Sequence, residues 1–149
     1  MIIKEATKPE KKKSLKIASE LKEWFTPEGL KNIKTDFDMN HVIVALEKSK
    51  VIGFLCYTSY SGKMLLLWMG VKRDYQRKGV GKALLSHLEN LSKKLNLHSI
   101  EIETLPDEDS YEPYKLTRNF YYKKGFKRVL YKKARVKGWD DQIVLEKIL

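Results

Sequence analysis

One glycine- and lysine-rich segment has the residue types and spacing to bind a phosphate group. It follows the apolar run Met64 to Val71 and precedes a long amphipathic segment, so it lies where a strand passes into a helix. The first N–H groups of such a helix have no partner within it, and the helix dipole places positive charge behind them. Glycines let a ligand approach this backbone closely. The candidate phosphate-binding residues are Gln76, Arg77, Lys78, Gly79, Val80, Gly81 and Lys82.

The spacing of these glycines excludes two common nucleotide motifs. No Gly-Lys-Ser/Thr closes a Walker loop, and the dinucleotide fingerprint needs a third glycine and a later acidic residue. The pattern Gln76-x-x-Gly79-x-Gly81 after Val71 instead resembles the pyrophosphate loop of the GNAT superfamily of acetyl-CoA-dependent N-acetyltransferases. For the segment alone, a glycine-rich turn with solvated cations is the alternative.

A second motif, Phe120 to Phe126, is similar to the closing segment Phe-Tyr-x-Lys-x-Gly-Phe of the same superfamily. The resemblance implies that Tyr121 lies beside the sulfur of coenzyme A and acts as general acid. A thiolate, with an ordinary pKa of about 8.5, leaves more easily when a hydroxyl meets its developing charge. The alternative role for Tyr121 is an aromatic that packs the helix against the sheet.

The resemblance also implies a backbone contribution to cofactor binding. The strand that ends at Val71 is expected to splay from its parallel neighbour, leaving N–H and C=O groups of Met69 and Val71 free for the pantetheine arm. Gly70 would allow close approach, and one free N–H would stabilise the oxyanion of the tetrahedral intermediate. Lys124 completes the expected coenzyme A contacts.

Three positions depart from the family pattern. The family often has proline where this chain has Arg73, asparagine where it has Tyr114, and alanine where it has Thr117. These departures leave the side-chain contacts to the pantetheine open but do not affect the phosphate loop.

A base must also accept a proton from the attacking amine, directly or through water. Many family members carry a glutamate on the strand before the loop, but Met64 to Val71 contains none. Glu103 lies near the C-terminal end of the next strand, where ligands of open α/β sheets gather, and is the candidate base. A solvent-facing or ion-paired glutamate is the alternative. The acceptor pocket has aromatic candidates, Trp24, Phe25, Tyr60 and Trp139, and acidic candidates, Glu108, Asp109, Asp140 and Asp141.

The element pattern predicts an α/β (α+β) protein with a mixed sheet of about six to seven strands flanked by helices, and with a parallel pair, 64–71 and 99–104, in the middle. The resemblance implies that this is the single-domain GNAT fold over residues 1–149 and that the parallel pair is splayed. One helix is expected from Pro9 to about Phe25, and a second, short one begins at the N-cap Thr26. The helix after the loop shows an apolar stripe of Val80, Leu84, Leu88, Leu91 and Leu95.

The composition limits the kinds of protein and the kinds of partner that fit this sequence. The net charge is +11, with 42% apolar residues and a single cysteine, Cys56, which suits a cytoplasmic protein. The sequence has no signal-peptide core, no apolar stretch long enough to span a bilayer and no metal-ligand spacing. We expect no membrane and no specific nucleic acid among the partners; a homodimer is left open.

The function expected from these features is transfer of the acetyl group of acetyl-CoA to a primary amine of a small molecule, protein or peptide, by direct attack in a ternary complex. Acetyl-CoA is then the cosubstrate, and no metal is needed. Two other classes remain: a non-catalytic acyl-CoA sensor and, below it, a basic nucleic-acid-binding protein, whose aromatics would have to form stacking platforms.

Overall fold

Seven strands form one mixed sheet with helices on both faces, as the sequence predicts. The computed structural model describes all residues, Met1–Leu149. The strands are β1 (Ile2–Glu5), β2 (His41–Glu47), β3 (Lys50–Tyr60), β4 (Lys63–Val71), β5 (Ser99–Thr104), β6 (Lys127–Lys132) and β7 (Gln142–Ile148). The helices are α1 (Lys8–Glu20), α2 (Pro27–Met39), α3 (Val80–Lys94) and α4 (Glu112–Lys123). The strand order is β1-β2-β3-β4-β5-β7-β6, and only β4 and β5 are parallel. None of the four helices is long and apolar enough to cross a bilayer.

The parallel pair at the centre of the sheet separates partway along, which confirms the expected splay. β4 pairs with β5 only from Lys63 to Leu66. At that point β4 contains one extra residue, Leu67, because Trp68 pairs with Cys56 and Leu66 pairs with Tyr57 of β3. Such a bulge bends its strand and ends pairing. The rest of β4 therefore borders a gap on the side of β5.

The first helix is shorter than its apolar pattern predicts. It ends at Glu20, and residues 21–26 form a tight connection in which the N–H groups of Trp24 and Phe25 donate to the Leu21 carbonyl. The expected N-cap is confirmed, since Thr26 Oγ1 accepts from the Gly29 N–H at 3.0 Å. The chain must leave the helix before Thr26 because an N-cap has extended backbone geometry.

The sheet separates two apolar cores. One core lies between the sheet and α3. It includes Leu84 of α3 and, from the second motif, Tyr121 and Phe126. The other lies under α1 and α2 and includes Phe37 and Phe54. In the predicted stripe of α3, Leu95 is wrong as a core residue: it is 55% exposed because the helix ends at Lys94.

Substitutions along this stripe test the packing of α3. We expect Leu84→Ala to lower the free energy of unfolding by about 2–5 kcal/mol, because Leu84 is fully buried and its loss leaves a cavity. Leu95→Ala should change it by less than about 0.5 kcal/mol. Chemical denaturation of both variants measures the difference, and equal effects would contradict this packing.

Candidate active site

The gap beside β4 exposes backbone groups that no strand pairs. The N–H of Lys72, just after β4, donates to Ile52 of β3 at 2.8 Å. Because alternate residues of a strand point their N–H and C=O groups to the same side, those of Met69 and Val71 point away from β3. They therefore face the gap, as expected.

Gly70 has a packing role in this strand. Its backbone pairs with Phe54 of β3, and an added Cβ would lie 2.7 Å from the Phe54 ring. Because Phe54 is fully buried, the ring cannot yield easily. The glycine thus lets β4 lie against Phe54, which the sequence did not indicate.

The side chain of Gln76 occupies one of the groups expected to be free. Its Nε2 donates to the Val71 carbonyl at 3.0 Å and so fixes the phosphate loop to the end of β4. The expectation of an unpaired Val71 C=O is therefore wrong. The Val71 N–H and both backbone groups of Met69 remain available for a ligand.

The N-terminus of α3 is left open, unlike those of α1 and α2. Threonine side chains cap α1 and α2, whereas the N-cap of α3 is Gly79, with φ +86° and no side-chain cap. The first helical bond of α3 joins the Ala83 N–H to the Gly79 carbonyl, so the preceding N–H groups are free. No acidic residue lies in this turn, and the lysines at 78 and 82 are exposed around it. This arrangement suits a diphosphate.

The two sequence motifs meet at this helix. A Cβ added to Gly81 would lie 3.6 Å from the Phe120 ring and 3.9 Å from the Met69 methyl. Lys124 Nζ lies 5.7 Å from the centre of the same Phe120 ring. The start of α3, the end of β4 and the second motif thus converge on one place.

Tyr121 lies directly beside this junction. Its ring is 4% exposed and packs edge-on against Phe120 and Phe126, at centroid distances of 5.2 and 5.4 Å. Burial raises the pKa of Tyr121 far above its usual value, and no protein group shifts it further by hydrogen bonding. The hydroxyl therefore stays protonated at neutral pH, so it can donate a hydrogen bond to a developing negative charge but cannot act as a base.

Glu103 lies one residue beyond Ile102, the last residue of β5 that pairs with β4. Its side chain is 51% exposed and forms an ion pair with Lys132 of β6. Its alternation places it on the sheet face opposite the buried Ile102. The neighbouring Glu101 pairs with Lys63 at 2.8 Å. The candidate base Glu103 thus lies where β4 and β5 separate, with the ammonium group of Lys132 beside it.

The acceptor candidates are only partly brought together. The four acidic candidates line one open pocket, together with Pro106 and Tyr131. Arg128 binds Glu108 at 2.6 Å, and the Tyr131 hydroxyl donates to Asp141 at 2.5 Å. Trp24 and Phe25 lie in the α1–α2 connection. Tyr60 precedes β4, so it is at the opposite end of that strand from the loop.

The single cysteine is not a nucleophile in this fold. Cys56 is fully buried, and burial raises its pKa to about 12. A thiol that stays protonated cannot attack a thioester efficiently.

Comparison with known proteins places this geometry in a family. The model of the acetyltransferase (GNAT) domain matches residues 38–128. A search of curated protein sequences gave no match. Among solved structures, a GNAT-family protein from Desulfovibrio desulfuricans has a TM-score of 0.85 at 23% identity, covering 99% of this chain and 98% of that chain.

Two further structures have the same fold. The ribosomal-protein-S18-alanine N-acetyltransferase from Escherichia coli has a TM-score of 0.77 at 18% identity, covering 99% of this chain and 92% of that chain. An aminoglycoside 6'-N-acetyltransferase complexed with coenzyme A has a TM-score of 0.74 at 16% identity, covering 99% and 97%. With the family model spanning more than half of the sequence, the chain belongs to the GNAT acetyltransferase family.

Proposed function

We propose that residues 1–149 act as one N-acetyltransferase domain that moves the acetyl group of acetyl-CoA to a primary amine. The observation that carries this proposal is the gap in the sheet, which has an uncapped helix start at one end and Tyr121 beside it. The loop from Gln76 to Lys82 would hold the pyrophosphate, and the free groups of Met69 and Val71 would pair with the pantetheine arm. Lys124 would add positive charge near the same cofactor.

The proposed reaction is a direct attack on the thioester. The amine nitrogen forms a bond to the carbonyl carbon, and a backbone N–H at the gap stabilises the oxyanion. The carbon–sulfur bond then breaks, and the Tyr121 hydroxyl hydrogen-bonds or protonates the departing thiolate, and any proton it gives up is replaced from the proton that the amine releases. The proton of the amine passes to Glu103, directly or through water. Holding both reactants in one complex supplies much of the rate gain.

Direct attack fits the residues of the site better than a covalent intermediate. Cys56, the one thiol of the chain, is buried and protonated. A transfer through this side chain would need the thiolate that burial disfavours.

The acceptor is a primary amine of a small molecule, protein or peptide. The similar structures carry names of both kinds, one acting on a ribosomal protein and one on aminoglycosides. Since fold does not define the substrate, both kinds belong in the test.

The proposal is tested by measuring free thiol release from acetyl-CoA with a panel of amines that includes aminoglycosides and peptides with free N-termini. We expect release with at least one amine, together with an acetylated product by mass spectrometry. Tight binding of acetyl-CoA with no release from any amine would instead indicate a non-catalytic sensor. Salt-sensitive DNA retention that added coenzyme A does not displace would indicate a nucleic-acid-binding protein.

A further inference from the structure

Two residues that depart from the GNAT pattern contact the same short segment. Both terminal nitrogens of Arg73 donate hydrogen bonds to the Glu23 carboxylate, at 2.6 and 2.9 Å. One of them also donates to the Glu20 carbonyl at 3.1 Å. The Tyr114 hydroxyl donates to the Trp24 carbonyl at 2.7 Å. Such a two-pronged arginine–carboxylate contact fixes direction as well as distance. Arg73 also holds the pKa of Glu23 at about 2, so the pair is charged at neutral pH.

Two more hydrogen bonds join this segment to the start of α4. The Tyr111 hydroxyl donates to the Glu23 carbonyl at 2.8 Å, and Trp24 Nε1 donates to the Pro113 carbonyl at 3.1 Å. The segment from Leu21 to Thr26, which we call the strap, is thus held from two directions.

The anchors of the strap lie on the two sides of the gap. Arg73 follows the end of β4, whereas Tyr114 belongs to α4, which follows β5. Because β4 and β5 are parallel, these ends lie at the same edge of the sheet.

The strap also packs on β4 itself. Leu21 Cδ1 lies 3.4 Å from the position of a Cβ added to Gly70, and the Phe25 ring lies 6.0 Å from the Trp68 ring. These contacts are on the face of α1 and α2, opposite α3. The strap therefore crosses the gap on the face that α3 and the phosphate loop leave uncovered.

We propose that the strap roofs the thioester of bound acetyl-CoA against water, with Arg73 and Tyr114 as the positioning residues that hold it in place. This inference rests on the proposed acetyl transfer. When the strap opens, a water oxygen adds to the thioester carbonyl carbon and the carbon–sulfur bond breaks. One water proton goes to the sulfur, the other is released to solvent, and acetate and the free thiol of coenzyme A leave. A closed strap therefore prevents hydrolysis of the thioester, so that the acetyl group is transferred to the amine.

The test compares Tyr114→Phe and Arg73→Gln with matched controls away from the strap. Tyr122→Phe removes a hydroxyl from the same helix, one that binds Asp107, and Lys147→Gln removes a cation contact to Glu89 of α3. Two quantities are measured: hydrogen exchange of the amides in 21–26, and thiol release from acetyl-CoA without any amine. Arg73→Lys is included as the conservative variant.

We expect exchange and amine-free thiol release to rise together in both variants. The rise should be about fivefold in Tyr114→Phe, the effect of one hydrogen bond on the opening equilibrium, and larger in Arg73→Gln, which loses the three hydrogen bonds of Arg73. Arg73→Lys should recover part of the protection, and the controls should match the wild type. Exchange and release equal to those of the controls would overturn the role of the strap. Faster exchange in a protein whose wild type never releases thiol, with or without amines, would overturn the proposed function and with it the water-shielding role.

Discussion

Tyr121→Phe is expected to lower kcat for acetyl transfer by about 100-fold, within the range for loss of a general acid. The substitution keeps the ring that packs between Phe120 and Phe126 and removes only the hydroxyl. The KM for acetyl-CoA should change little, because the loop and the backbone of β4 are untouched. Steady-state kinetics with an amine selected from the panel measures both quantities.

Tyr122→Phe is the matched control for this prediction. It alters the next residue, whose hydroxyl binds Asp107. Its kcat should stay within about twofold of the wild type, because the half-buried ring is kept and only the hydroxyl is lost. Equal kcat values for Tyr121→Phe and the wild type would assign Tyr121 to packing alone.

Gly79→Ala is expected to weaken acetyl-CoA binding by about tenfold. The position has open space around it, but its φ of +86° is costly for any residue with a Cβ, by about 1–2 kcal/mol. The loop must then leave the conformation that directs the N–H groups of α3 outward. Isothermal titration calorimetry with coenzyme A measures the loss.

Two further substitutions distinguish the effect of backbone conformation in this loop from the effect of added side-chain volume. Gly79→Asn should retain more affinity than Gly79→Ala, because asparagine tolerates the left-handed region. Gly81→Ala should bind nearly as well as the wild type, since its added Cβ meets Phe120 at an ordinary 3.6 Å. An unchanged affinity in Gly79→Ala would show that the backbone geometry of this loop does not hold the cofactor.

Most of the strands and helices around the site could be predicted from the sequence, because the patterns that indicate them lie in neighbouring residues. The strand before the loop, the helix after it and the two motifs are each carried by neighbouring residues. The parallel pairing of β4 and β5 followed from the helix between them. The family and the fold were therefore predictable.

The details of the site were not predictable, because they depend on contacts across the chain. The bulge at Leu67 lies inside an apolar run that any strand could contain. The contacts of Arg73 with Glu23 and of Tyr114 with Trp24 join residues 50 and 90 positions apart. Even the short-range bond from Gln76 to Val71 depends on how the loop folds back.

The departures from the family pattern acquire a structural meaning only in the folded chain. In the sequence, Arg73 and Tyr114 are two unrelated exceptions. In the structure both hold one segment, at opposite sides of the same gap. Sequence alone gave no reason to connect them.

The most direct measurement is a crystal structure of the protein with coenzyme A. We predict the pyrophosphate on the N–H groups at the start of α3, the pantetheine arm along β4 from Leu67 to Val71, and the sulfur within about 3.5 Å of the Tyr121 hydroxyl, a distance typical of a hydrogen bond to sulfur. Coenzyme A bound with its sulfur outside the gap, away from Tyr121, would contradict the proposed site.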